Sequence, residues 1–198
     1  MERVDQMPQK KAATLTRFGG RAEIAVREPR VQRYLLRADG VFPNNEQLPL
    51  LVYQSAVTLP DDDPASVFEQ LFGDNQWGGS WRNGIYKFHH YHSTAHEVLG
   101  CFGGYARVQL GGPSGVVVPV EAGDVLLIPA GVAHKNLEAS PDFKVVGAYP
   151  QGQSWDMNYG KPEELAPARK NIARVALPKA DPVYGRQGPL TELWTKKK

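Results

Sequence analysis

The five histidines of this chain stand at positions 89, 90, 92, 96 and 134, and four of them fall within eight residues. Imidazole and carboxylate side chains together make a mixed nitrogen–oxygen site for a divalent first-row metal such as Fe, Mn, Ni or Zn. In an extended segment alternate residues face one side. His90 and His92 therefore point together, sharing a face with Tyr86 and Phe88, while His89 and Tyr91 point the other way. A turn over residues 93–96 brings the chain back at Glu97, so that His90, His92 and Glu97 can meet at one point.

The spacing extends to two motifs. Gly84, five residues, His90-Tyr91-His92, four residues, Glu97, six residues and Gly104 form the first. Gly123, five residues, Pro129-Ala130-Gly131, two residues and His134 form the second. Together they resemble the paired motifs of the cupin superfamily, and the short gap of residues 105–122 resembles germin-type bacterial single-domain cupins. The resemblance spans residues 50–150. It implies an all-β fold, the double-stranded β-helix or jelly-roll barrel, and one divalent metal held by His90, His92, Glu97 and His134. One position departs from the pattern: the family's asparagine four residues after the last histidine is Glu138 here, and Asn136 stands two residues after it.

Four protein ligands leave about two positions of an octahedron open, and one glutamate leaves the centre net positive. Such a centre attracts an anionic or chelating oxygen ligand. With Fe(II) the expectation is dioxygenase or oxidase chemistry on a small organic acid or carbonyl compound. With Mn, Ni or Zn the alternative is a Lewis-acid isomerase or decarboxylase. A non-catalytic small-molecule-binding cupin is the third reading, because fold alone does not decide function.

Acid–base work at the site falls to His96, beside Glu97, or to Tyr86, with Glu138 as a further candidate. Phe88, Arg82 and Asn136 are expected to line the substrate pocket. Trp77, Trp81 and Arg82 lie in the stretch before the first motif and either lid the mouth, with Arg82 pairing an acidic substrate, or fold against the outside. Gln151, Gln153 and Trp155 are placed at the other rim, Cys101 reads as a core thiol, and His89 as a surface or interface residue.

The elements that must position these groups are short strands. Glycine (20) and proline (16) supply 36 of 198 residues, which suits tight turns rather than a helical bundle. Strands are expected at 33–37, 50–58, 85–92, 97–102, 105–110, 116–120, 125–128, 134–138 and 143–149, with hairpin turns at 111–115 and 121–124. Pro64 follows three aspartates and starts one short helix at 65–72, before the barrel motifs. The stretch 74–84 reads as an aromatic, glycine-rich loop. The chain divides into an N-terminal extension (1–49) with one or two strands, weakly structured over 1–32 with a break at Gly19-Gly20; the barrel (50–150); and an irregular C-terminal extension (151–198) with a short helix at 162–174.

The mass of 21.9 kDa and 41% hydrophobic residues allow one domain with a real core. No apolar run approaches the roughly 18–20 residues of a membrane span. A lone cysteine makes no internal disulfide. The first thirty residues lack the apolar core of a signal peptide, so a cytoplasmic protein is expected. Residues 1–33 carry 8 Lys/Arg against 4 Asp/Glu, 161–198 carry 9 against 4, and 34–160 carry 6 against 13. The scattered basic ends, with a run only at Lys196-Lys197-Lys198, point to contact with the acidic middle or a partner subunit rather than to nucleic acid. The N-terminal strands are expected to pair across a homodimer.

Overall fold

A computed structural model describes residues 24–195. The expectations for residues 1–23, the Gly19-Gly20 break among them, and the terminal lysine run lie outside the described residues. Among the described residues nine strands form two antiparallel sheets: β1 (Arg30–Leu36), β2 (Asn45–Gln54), β3 (Trp77–Asn83), β4 (Glu97–Gly103), β5 (Tyr105–Leu110), β6 (Val116–Glu121), β7 (Val125–Ile128), β8 (His134–Ala139) and β9 (Lys144–Pro150). The larger sheet runs β1-β2-β7-β4-β9-β3 and the smaller β6-β5-β8. This is the jelly roll of the cupin fold.

Sequence pattern separates the two sheets. In β5 and β6 buried and exposed residues alternate, because one face of the smaller sheet meets solvent. In β7 all four residues are buried, and in β9 all but the first. The larger sheet is covered twice. Its inner face places Leu50, Val52, Leu99 and Leu126 against Val108, Val118 and Val120 of the smaller sheet. Its outer face packs on Ala65, Phe68 and Phe72 of helix α1 (Pro64–Asp74) and on Val183, Leu190 and Trp194 near the C-terminus. Gly100 makes the α1 contact feasible: a Cβ there would meet the Phe68 ring at 2.4 Å.

Several expectations change. The stretch 74–84 is not a loop: it pairs as β3 along β9, with a register shift between Gly78 and Trp81, and the Trp81 ring lies over Gly147. Residues 85–92 are not a strand: isolated bridges join His90 to His134 and Tyr91 to Asn158, and the Tyr86 carbonyl accepts from the Asn136 N–H of β8. The segment from residue 24 is not loose, since Val26 bridges Val57 and β1 begins at Arg30. β1 pairs with β2, and β2 with β7, which leaves β1 as one edge of the larger sheet. Helix α1 runs on through Gly73 to Asp74, two residues beyond the expected end at 72.

The C-terminal segment is pinned rather than loose. After a 3₁₀ turn (Pro162–Glu164) and α2 (Leu165–Ile172), the buried Asp181 carboxylate accepts hydrogen bonds from the Tyr53 hydroxyl at 2.6 Å and from the N–H groups of Val183, Tyr184 and Leu190. A short helix, α3 (Pro189–Leu193), follows and delivers Trp194 to the core.

Candidate metal centre

His90 and His134 form one antiparallel pair, exchanging N–H···O bonds of 3.2 and 2.9 Å. Directly opposed residues carry their side chains on the same face, and here the rings lie 4.0 Å apart. His92, two residues on, keeps that face, its ring 5.7 Å from His90. One nitrogen from each of the three buried imidazoles lies within 4.8 Å of the others, a grouping able to hold one metal ion.

The other ring nitrogen of each histidine meets a backbone carbonyl. His90 Nδ1 contacts Phe88 O at 3.4 Å, His134 Nδ1 contacts Val132 O at 3.3 Å, and His92 Nδ1 contacts the Asp156 carbonyl. A carbonyl only accepts, so each Nδ1 carries the proton and each Nε2 presents a lone pair. Glu97, at the start of β4, faces the same point. Its Oε2 lies 3.3 Å from His134 Nε2 and its Oε1 3.7 Å from His92 Nε2. Oε2 is buried without a hydrogen-bond partner. Lone pairs and a carboxylate gathered out of water repel one another unless a cation sits between them. The donor set therefore fits a divalent metal.

The charge states follow. Burial, and then the neighbouring His134, push His90 down to about 3. Burial also opposes charge on His92, but Glu97 and the Asp156 carbonyl outweigh it and hold His92 above its ordinary value. Burial alone would raise Glu97, yet His92 and His134 keep it well below the usual carboxylate range.

Behind Glu97 stands a residue the motifs do not contain. The Tyr149 hydroxyl donates to Glu97 Oε1 at 3.2 Å and accepts from Trp81 Nε1 at 3.0 Å. Burial and the Glu97 charge raise this phenol, which keeps it a donor. Around the mouth lie half-exposed rings. Tyr86 stacks on Phe88 at 4.9 Å and meets His90 edge-on, Phe88 lies near Tyr159, and Trp155 sits 5.4 Å from His92. A groove of about 330 Å³ runs from Tyr149 and Trp155 along Gly78-Gly79 and Gln151–Ser154.

The structure thus brings His90, His92, Glu97 and His134 together, with Tyr86 and Phe88 at the rim. Asn136 is buried on the His134 side of β8, its Oδ1 without a partner. His96 is not brought in: its ring lies tilted against Trp194, 4.7 Å away, and its Nδ1 accepts from the Ala130 N–H, because alternation along the chain turns it opposite to Glu97. Arg82 does not reach the mouth. It forks onto Glu69 of α1 at 2.7 Å and reaches Asp63 at 2.8 Å on the outer surface. Glu138 is exposed beside Arg107. Trp77 is core; Gln153 lines the groove with Gln151 and Trp155, and its Oε1 accepts the His96 N–H. Cys101 is a core thiol, pushed up to about 12 by burial. His89 is half-buried against Phe42. Tyr149 was indistinguishable in the sequence from a core aromatic. Asp156 lay in a polar stretch with no pattern.

No protein-family model matches the chain. The uncharacterized protein YjlB of Bacillus subtilis (strain 168) is 44% identical over 169 residues, which are 85% of this chain and 99% of that protein. Among solved structures, dTDP-6-deoxy-D-glucose-3,5-epimerase RmlC from Legionella pneumophila, in complex with dTDP-4-keto-L-rhamnose, is 15% identical over 61% of this chain and 72% of its own, with a TM-score of 0.33. A DUF861 family protein from Thermotoga maritima is 21% identical over 48% of this chain and 97% of its own, with a TM-score of 0.29. Procruciferin, an 11S globulin from Brassica napus, is 17% identical with a TM-score of 0.34; the match takes in 74% of this chain and 35% of the globulin.

Proposed function

The chain belongs to one family with the uncharacterized protein YjlB of Bacillus subtilis, and on that premise we propose that it is a cupin and a metal-dependent enzyme of the dioxygenase or oxidase type acting on a small organic acid or carbonyl compound. His90, His92, Glu97 and His134 are its proposed ligands. A divalent metal bound there supplies Lewis acidity and, as iron, the capacity to activate dioxygen.

The observation that carries this reading is the buried Glu97 Oε2, facing His134 Nε2 without a hydrogen-bond partner. The residues around it have separable tasks. Tyr149 holds Glu97 Oε1 and so aims Oε2 at the cluster. Tyr86, Phe88 and Trp155 form an aromatic mouth that excludes water from one side of a bound molecule. Lys161, 5.9 Å over the Tyr159 ring, adds positive charge near that mouth and supports an anionic ligand.

The rim favours oxidative over proton-transfer chemistry. An isomerase needs a base at the open side, and a decarboxylase needs a proton donor for the carbanion that departing CO2 leaves. His96 and Glu138, the candidates for that work, are held elsewhere. The groups beside the cluster are the phenols Tyr86 and Tyr149. No helix among the described residues is long and apolar enough to cross a membrane. A homodimer remains part of the proposal, through the β1 edge.

Metal analysis of the purified protein tests the reading, followed by oxygen uptake by the Fe(II) form against a panel of small acids and diketones. About one metal per chain is expected, and uptake that disappears in His92→Ala. A protein that takes up no divalent metal under any reconstitution overturns it.

A further inference from the structure

We infer that Asp156, in the C-terminal segment beyond both motifs, is a positioning residue that locks the His92 ring with Nε2 toward the cluster. The consequence for metal binding rests on the proposed function; the locking rests on hydrogen-bond geometry alone.

The Asp156 carbonyl accepts from His92 Nδ1–H. Its carboxylate grips the next two residues of the same turn. Oδ1 accepts the Ser93 and Thr94 N–H groups, and Oδ2 accepts the Ser93 hydroxyl and one Asn158 side-chain N–H. Asn158 in turn exchanges both backbone hydrogen bonds with Tyr91 at 3.0 Å, and Asn171 of α2 donates to Ser93 Oγ at 3.0 Å. The run 91–94 is thereby zipped from outside onto residues 156–158, although residues 85–92 form no strand of their own.

His92 lies outside every strand, past the His90–His134 bridge, so sheet pairing alone does not fix its ring or its tautomer. A carbonyl held at Nδ1 fixes both, because it pairs only with the Nδ1–H form. The carboxylate keeps that carbonyl in place. Without it, two N–H groups and a hydroxyl of residues 93–94 lose their acceptor, and the turn that carries His92 relaxes.

The experiment compares wild type, Asp156→Ala and Asp156→Asn in two readouts: zinc affinity by chelator competition, and imidazole ¹⁵N spectra of the metal-free proteins. Wild type is expected to show His92 as a single Nδ1–H tautomer, and Asp156→Ala a mixture, with zinc affinity reduced roughly 10–100-fold. Asp156→Asn falls between the two. Its amide oxygen still accepts from Ser93 and Thr94, but its amide nitrogen cannot accept from Asn158. If the alanine variant does not fold, the asparagine variant carries the comparison. An unchanged His92 spectrum in the variants overturns the inference, as does unchanged zinc affinity. If wild type binds no zinc or other divalent metal, the proposed function fails, and the ¹⁵N spectra alone decide the role of Asp156.

Discussion

His90 and His134 stand 44 positions apart in the chain and exchange both of their backbone hydrogen bonds, at 3.2 and 2.9 Å. That one pairing joins the two motifs. Direct opposition sends both imidazoles to the same side, and a slip of one residue would turn one of them away. The cluster is therefore a consequence of register, and its ligands need no flexible approach to meet.

Metal binding should stabilise the protein. A ligand at about 100 times its dissociation constant adds about 2.7 kcal/mol, or roughly 5–10 °C in a domain of this size. Calorimetry of metal-free protein with and without zinc checks this, and His134→Ala should abolish the shift while still folding.

Acid should weaken the metal-free protein through His90. The unfolded chain takes up this proton near 6.5 and the folded chain only near 3. The folded state therefore binds fewer protons in that window, and stability falls as pH drops through it, by at most about 5 kcal/mol. Urea unfolding at pH 7, 5 and 4 measures the trend, and His90→Phe should flatten it.

Metal affinity should climb with pH through the titration of His92. Its pKa is raised, since Glu97 and the Asp156 carbonyl outweigh burial, so a metal entering the site must displace that proton. Calorimetric titrations in buffers of different ionisation heat should show proton release on metal binding that declines as pH rises. An affinity flat from pH 6 to 9 would contradict this.

Tyr149→Phe keeps the ring and removes the hydroxyl between Trp81 and Glu97. Metal affinity should fall about tenfold. Stability should fall by about 1–2 kcal/mol, because the Trp81 N–H loses its acceptor. Zinc competition and thermal melts read the two effects separately.

Arg82→Ala should leave metal and small-acid binding untouched. The side chain pairs with Glu69 and Asp63 on the exposed surface, where solvent screening leaves such contacts little weight. A loss of acid affinity in this variant would bring the guanidinium back to the mouth.

His90, His92 and Glu97, and the strands from Glu97 to Pro150, were legible because spacing and alternation are local, whereas His134 joined the proposed ligands only through the motif resemblance. The order Val116–Glu121, alternating under a GGPSG turn, reads as a hairpin strand without tertiary information. β3 was not legible. Its glycines and tryptophans resemble a loop, and it becomes a strand only because Gly147 of β9 leaves room for the Trp81 ring. His96 misled for a related reason, since proximity to Glu97 in sequence means opposition in a strand. Tyr149 and Asp156 act through partners 52 and 64 residues away, and no periodicity records such pairings.

X-ray absorption at the metal edge of the loaded protein tests the central claim most directly. The account predicts one metal per chain, surrounded by three imidazole nitrogens and at least one carboxylate oxygen, with an imidazole lost in His92→Ala. A first shell without imidazole, or one unaltered by that substitution, would contradict it.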